Sequence, residues 1–196
     1  MKITAGKYHG KNIDARPDKT LRPTSGKVRE AVFNILRHGR FFKDDRFISD
    51  GNNELVEGRR VIDIFCGTGA LGIEALSRGA THLTLVDQNA RTLSVAQKNI
   101  KNLGEAVNTT FIRSDSTMLP SATIPCKLAF VDPPYGKNLA KPALKSLASA
   151  GWLEKGSVII LELGKQDEVE SFDNFIKLDE RLHNRTRIAI LQYSGH

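Results

Sequence analysis

Cysteine is scarce. Cys66 and Cys126 are the only two in 196 residues, too few for a disulfide framework or a full metal site. No apolar run is long enough for a bilayer, so no membrane partner is expected. The opening Met1-Lys2-Ile3-Thr4-Ala5-Gly6-Lys7 lacks the apolar core of an export signal. Internal repeats and low-complexity tracts are missing as well. These absences point to a cytoplasmic protein in a reducing compartment, without a metal. What is there is an ordinary globular balance, 40% hydrophobic and 26% charged, enough for one well-packed domain with an appendage.

Acid is short in one place only. Residues 1–46 hold 12 lysines and arginines against 5 acids, while 47–196 balance at 17 of each, so the whole net charge of +7 lies in the first quarter. A neutral body with a basic arm is the asymmetry of a polyanion reader, and RNA or DNA is the expected partner; a surface that is merely basic is the plainer alternative. Lys7, Lys11, Arg22, Lys27 and Arg29 are the candidate phosphate contacts.

The arm opens with weak alternation over Lys2–Ala5 and Ile13–Ala15, which predicts short strands or a hairpin through Gly6–Gly10. Val28, Ala31, Val32, Ile35 and Leu36 then recur at helical spacing behind Pro23 and the candidate cap Thr24. Lys27, Arg29 and Arg37 are expected on or near the outer side of that helix. Residues 39–58 lack any period and are rich in turn formers. We divide the chain into a basic arm and helix (1–46), a linker loop (47–58) and a main domain (59–196).

From Arg59 strand and helix alternate. Strands are predicted at Val61–Phe65, His82–Val86, Val107–Ile112, Leu128–Val131 and Val158–Leu163, and helices at Ala70–Ser77, Ala90–Leu103 and Leu139–Ala148. Phe175–Leu182 and Arg187–Tyr193 read as a closing hairpin, which must be antiparallel. The fold class is therefore α/β: a mainly parallel sheet with an antiparallel closing hairpin and helices on both faces, plus the small basic extension.

Two stretches carry chemistry. Gly67-Thr68-Gly69-Ala70-Leu71-Gly72 follows a strand and opens a helix, where backbone can approach a ligand at the positive helix end. Asp87, 18 residues after Gly69, ends the next strand, where a carboxylate can take both ribose hydroxyls. A nicotinamide enzyme fits that much. Asp63, inside the strand before the loop, favours a ligand with a cationic amino-acid moiety, S-adenosylmethionine; it can equally tie down the loop through backbone N–H groups. Asp115, in Ser114-Asp115-Ser116 after the third strand, reads either as an adenine-amine acceptor or as a strand-end turn.

The second stretch is Asp132-Pro133-Pro134-Tyr135. Two prolines stiffen the exit from the fourth strand and remove two donors, leaving a carboxylate, a carbonyl and a ring. An exocyclic base amine needs just such acceptors and a stacking surface. The plain alternative is a structural turn with Asp132 as a helix cap and Tyr135 in the core.

Asp132–Tyr135 behind the Asp63-x-Phe65-x-Gly67-x-Gly69 turn resembles the amino-methyltransferases of the class I, Rossmann-like fold. With Ile3–Gly10, Leu21–Thr24, Val28–Asn34 and Asp63–Gly79, the chain is similar to the RsmD family, which methylates a guanine N2 in 16S ribosomal RNA of the small subunit. That resemblance implies S-adenosylmethionine as cofactor, held at Asp63, Phe65, Gly67, Gly69, Asp87 and Asp115. It implies Asp132, Pro133, Pro134 and Tyr135 as the catalytic group, and ribosomal RNA, free or within a small subunit, as partner. The chain departs from the family pattern at the His183-Asn184 turn. Rival readings are an adenine-N6 DNA methyltransferase, a protein glutamine methyltransferase, a nicotinamide oxidoreductase and a non-catalytic RNA-binding module.

Overall fold

The computed structural model describes residues 1–15, 26–38, 55–167 and 172–195. Arg22, the cap Thr24 and most of the 39–58 loop, with Phe41, Phe42 and Phe47, lie outside the described residues.

The elements are α1 (Gly26–His38), β1 (Arg60–Ile64), α2 (Ala70–Ser77), β2 (His82–Val86), α3 (Ala90–Leu103), β3 (Thr109–Ile112), β4 (Cys126–Val131), α4 (Ala140–Ser149), β5 (Leu153–Gly164), β6 (Phe175–His183) and β7 (Thr186–Tyr193). Among the described residues they form one seven-stranded sheet in the order β3-β2-β1-β4-β5-β7-β6. The pairs from β3 through β5 are parallel, and β7 runs antiparallel to both β5 and β6.

Register sets the site. Ile64 lies opposite both Val86 and Val131, Val86 opposite Ile112, and Val131 opposite Leu161. The carboxyl ends of β1 to β4 therefore finish level, and the residues after them share one rim beside β5, where open α/β sheets bind ligands. Alternation assigns the faces. Val61, Leu83, Leu85, Leu128, Phe130 and Ile160 meet α1, α2 and α3, whereas Ile62, Ile64, Val131, Ile159 and Leu161 meet α4. Asp63, Asp132 and Glu162 have the parity of the first set.

The first fifteen residues make one antiparallel bridge, Lys2–Asn12, rather than two strands. The loop is closed by Gly10 N–H donating to the Ile3 carbonyl at 3.0 Å. At Gly6 (φ +80°) a Cβ would lie 1.8 Å from the Ser77 carbonyl oxygen, so only glycine allows the segment to lie so close to the end of α2.

Two expectations need correction. Val107 is not in β3 but 87% exposed in a short 3-10 turn, Ala106–Asn108, closed by Asn108 N–H donating to the Glu105 carbonyl. Arg29 is not on the outer side of α1. It is 1% exposed, because it stands four residues before Phe33 in the stripe that faces the sheet. Its guanidinium donates to the Lys2 carbonyl at 2.7 Å, reaches the Met1 sulfur, and lies 3.4 Å from the Glu74 carboxylate on α2. Burial pulls its pKa down, with Glu74 opposing that shift. The buried face of α1 continues with Phe33, whose ring tilts against Phe130 at 5.7 Å and carries Arg78 at 4.5 Å.

Candidate active site

The chain leaves β1 through backbone that is left-handed three times, at Phe65 (φ 59°), Gly67 (φ 54°) and Gly69 (φ 82°). For a residue with a bulky side chain such as Phe65 that conformation is uncommon and stores strain. Neighbours hold it: Phe65 N–H donates to Ser116 Oγ at 3.3 Å and Cys66 N–H to the Val86 carbonyl at 3.0 Å. Gly67 N–H donates to Asp87 Oδ2 at 2.8 Å, while Asp87 Oδ1 accepts from Asn89 N–H at 2.8 Å. Asp87 thus fixes the glycine loop and the start of α3 together. Asp63 is buried and its Oδ2 accepts from Gly72 N–H, in the first turn of α2, at 2.9 Å.

Asp132 follows β4 half-buried, Pro133 is buried, and Pro134 and Tyr135 are exposed. Tyr135 is 40% exposed, and its hydroxyl lies 3.2 Å from Thr186 Oγ1 at the start of β7. The ring is therefore steadied by its hydroxyl and not sunk in the core, so the plain structural reading of Tyr135 does not hold.

Carboxyl groups crowd this rim. Burial pushes the Asp63 pKa up to about 8, and the nearby Asp132 and Asp87 push the same way against the Gly72 hydrogen bond. Glu162, near the end of β5, is 2% exposed. Burial raises its carboxyl well above the usual range, with Asp132 and then Asp63 adding to the shift. Burial also raises the Cys66 thiol, which suits a small filler in a tight turn rather than a nucleophile.

Residues 1–192 match the family described as conserved hypothetical protein 95, the RsmD family. The chain belongs to this family. A ribosomal RNA small subunit methyltransferase D from Escherichia coli K12 is 31% identical over 192 residues, 96% of this chain and 85% of that one. A protein of the same name from Buchnera aphidicola of Acyrthosiphon pisum is 29% identical over 185 residues, 93% of this chain and 88% of that one. The solved structure of yhhF from Escherichia coli superimposes with a TM-score of 0.76 at 26% identity, covering 100% of this chain and 99% of that one. HI0767 from Haemophilus influenzae does so at 0.74 and 24%, covering 99% and 98%, a likeness of fold. The fold is that of the class I methyltransferases.

In this RsmD-family chain the rim brings together Asp63, Phe65, Gly67, Gly69, Asp87, Asp132, Pro133, Pro134 and Tyr135. Asp115 stands at the same edge, exposed, with Oδ1 accepting from the N–H and hydroxyl of Thr117, both at 2.8 Å. The strand-end turn thus exists and leaves Oδ2 for another partner. Lys7 and Lys11 are not at the rim. They flank the Tyr8 ring at 4.9 and 5.0 Å, beside the far end of α2. Lys7 also pairs with Glu105 at 3.0 Å, and Glu105 accepts from the Tyr8 hydroxyl. Lys27 is exposed on α1. Two buried acids that no sequence motif marks join these residues, Glu162 at the rim and Glu74 behind it. Each is an acid inside an apolar run, the same signal that marks Asp63.

These carboxyl groups bear on which ligand the rim suits. A dinucleotide would bring a pyrophosphate dianion beside carboxyl groups that already resist ionising, whereas S-adenosylmethionine brings a sulfonium and an ammonium that favour their charged forms. The residues present fit the second. No group of three or more potential metal ligands occurs among the described residues, and no helix there is long and apolar enough to cross a membrane.

Asp63 lets the fit be measured. Its folded pKa lies near 8 against an ordinary 3.8. Between those values the folded state holds a proton that the unfolded state has released, so its contribution to stability declines from about pH 4 upward and has fully declined above pH 8. Asp63→Asn keeps an acceptor for Gly72 N–H without the buried charge. Differential scanning calorimetry at pH 8 is expected to show a Tm above wild type by a few degrees, while S-adenosylhomocysteine affinity falls about tenfold. A lower Tm would mean that the carboxylate itself is needed for folding.

Proposed function

We propose that this protein transfers a methyl group from S-adenosylmethionine to the exocyclic N2 amine of a guanine in 16S ribosomal RNA. The observation that carries this reading is the placement of Asp132-Pro133-Pro134-Tyr135 on the same level rim as the Asp63–Gly72 loop and Asp87. The names of its small-subunit relatives support the choice of RNA.

When bound, S-adenosylmethionine supplies an electrophilic methyl on a cationic sulfur. The chain's own residues do the rest. The Gly67–Gly69 backbone and the buried Asp63 receive the amino-acid end. Asp87 has two acceptor sites engaged by backbone and about two left for ribose hydroxyls, Phe65 walls the loop, and Asp115 Oδ2 takes the adenine amine. A guanine amine is a poor nucleophile because its lone pair is delocalised into the ring. Asp132 and the Pro133 carbonyl accept its two hydrogens and hold them out of the ring plane, which restores the lone pair. No strong base is required beforehand, since the amine proton becomes acidic only as the new N–C bond forms. Alignment supplies most of the acceleration, and Asp132 stabilises the positive charge that develops on nitrogen. Tyr135 stacks on the extruded base, offsetting part of the few kcal/mol that unstacking requires.

The test is transfer of labelled methyl from S-adenosylmethionine to small ribosomal subunits, and to their naked RNA, from cells lacking the gene, followed by mass spectrometry of the nucleosides. N2-methylguanosine is expected; N6-methyladenosine, or no label, would reject the proposal. Calorimetry with S-adenosylhomocysteine and NADH separates the oxidoreductase reading, which requires preference for NADH. Lys11 and Lys27 are the exposed phosphate contacts of this proposal, with Lys7 partly engaged by Glu105. Lys11→Ala and Lys27→Ala are each expected to flatten the log–log salt dependence of RNA binding by about one. An unchanged slope would remove that residue from the interface.

A further inference from the structure

Glu162 is a buried acid that nothing so far explains. It lies on β5 one position beyond Leu161, which faces Val131, just as Asp132 lies one position beyond Val131. The two residues thus follow a register pair, Asp132 just past the end of β4 and Glu162 on β5, and their carboxyl groups are near enough to feel each other's charge. Adjacent strands lie about 4.8 Å apart, a gap that neighbouring groups on one base edge can bridge. Oε1 of Glu162 is buried without a hydrogen-bond partner among the described residues. An acceptor left unsatisfied in the interior is costly, so its retention beside Asp132 calls for a ligand donor. On its other side Glu162 faces Ile188 of β7. Ile188 lines a cleft of about 580 Å³ with Asn34 and Ile35 of α1 and with His183, one strand over from Glu162, with room for a nucleobase.

We propose that Glu162 reads the ring edge of the acceptor base. This rests on the guanine-N2 reading above. With the N2 amine held by Asp132 and the Pro133 carbonyl, the next group along the edge is N1–H, a donor, and then O6, an acceptor. A carboxyl Oε accepts from N1–H, and in its neutral form the carboxyl also donates to O6. Adenine presented by its amine offers at that point a bare N1 lone pair, which can take only the acid's O–H, and nothing equivalent to O6, so guanine alone engages both carboxyl oxygens. Glu162 is therefore a specificity-determining residue, and no proton is transferred in the recognition.

The discriminating ligand is 2-aminopurine riboside monophosphate, which keeps the amine but lacks N1–H and O6. Protein loaded with S-adenosylhomocysteine is titrated with this nucleotide and with guanosine monophosphate, using wild type, Glu162→Gln and Glu162→Leu. Wild type is expected to prefer the guanine nucleotide about tenfold, Glu162→Gln to keep most of that preference, and Glu162→Leu to lose it. In methyl transfer to small subunits Glu162→Leu is expected to lower kcat/KM about 100-fold while Glu162→Gln stays within about fivefold. S-adenosylhomocysteine affinity should stay within about twofold in both. The proposal falls if Glu162→Leu keeps the guanine preference or the wild-type rate. It also falls if transfer and S-adenosylhomocysteine affinity are lost together, the mark of a structural role. If the wild type discriminates between the nucleotides but does not label the subunit, the guanine-N2 reading fails instead.

Discussion

Asp132→Ala is expected to reduce methyl transfer by about 10³-fold while leaving S-adenosylhomocysteine affinity within about twofold of wild type. The carboxylate lies after β4, whereas the glycine loop is held by Asp87 and Asp63 through Gly67 N–H at 2.8 Å and Gly72 N–H at 2.9 Å. Removing Asp132 leaves those bonds in place. On the proposed mechanism, what is lost is one of two acceptors for the amine and the negative charge beside the nitrogen as it becomes positive. Asp132→Asn retains an acceptor without the charge, so it should fall between the two, about 10- to 100-fold below wild type. Single-turnover rates and calorimetry on the same preparations check both halves. Parallel loss of rate and affinity would make Asp132 a scaffold residue and return the loop to its plain structural reading.

The second large effect concerns Glu74, far from the chemistry. Its Oε1 accepts from Thr4 Oγ1 at 2.7 Å, Ala5 N–H at 3.0 Å and Arg78 Nε at 2.9 Å. Its Oε2 accepts from Thr4 N–H at 3.0 Å and faces the buried Arg29. One carboxylate thus joins the N-terminal segment, α1 and α2. Glu74→Ala would strand the Arg29 charge and several donors, and a loss of about 3–5 kcal/mol is expected in urea unfolding. Burial raises the Glu74 pKa, but the Thr4 and Arg78 hydrogen bonds outweigh it, and the net value is lowered. A depressed carboxyl contributes stability above its unfolded pKa near 4.5, and this is lost as pH falls through the lower folded value. Wild type should therefore lose stability in acid that Glu74→Gln has already lost at neutral pH. A double variant, Arg29→Met with Glu74→Leu, is expected to recover part of the deficit, because no unpaired charge is left behind. No recovery would place the stabilisation in the Thr4 and Ala5 hydrogen bonds instead of the ion pair.

Most of the sheet was legible because strand and helix differ in period. From β1 to α3 the expected bounds agree with the observed ones to within one residue, and Phe65, expected as the last residue of a strand, is where the backbone turns left-handed. Asp132–Tyr135 was legible for another reason: two prolines and a carboxylate after an apolar run leave the backbone few choices. The errors share a cause. Arg29 was assigned to the outer side by its charge, although it falls in the stripe of Phe33 and Leu36, and charge says nothing of a partner 45 positions away. Val107 was assigned to a strand by its propensity, against a turn closed by Glu105 and Asn108. Glu74 and Glu162 were overlooked because burial of an acid depends on neighbours brought in from other elements.

The crowd of acids at the strand ends bears on turnover as well as on binding. In the proposed reaction the arriving donor is a sulfonium and the departing thioether has lost that charge. A rim of carboxyl groups that the sulfonium helps to ionise therefore holds the second less firmly. That charge difference favours product release.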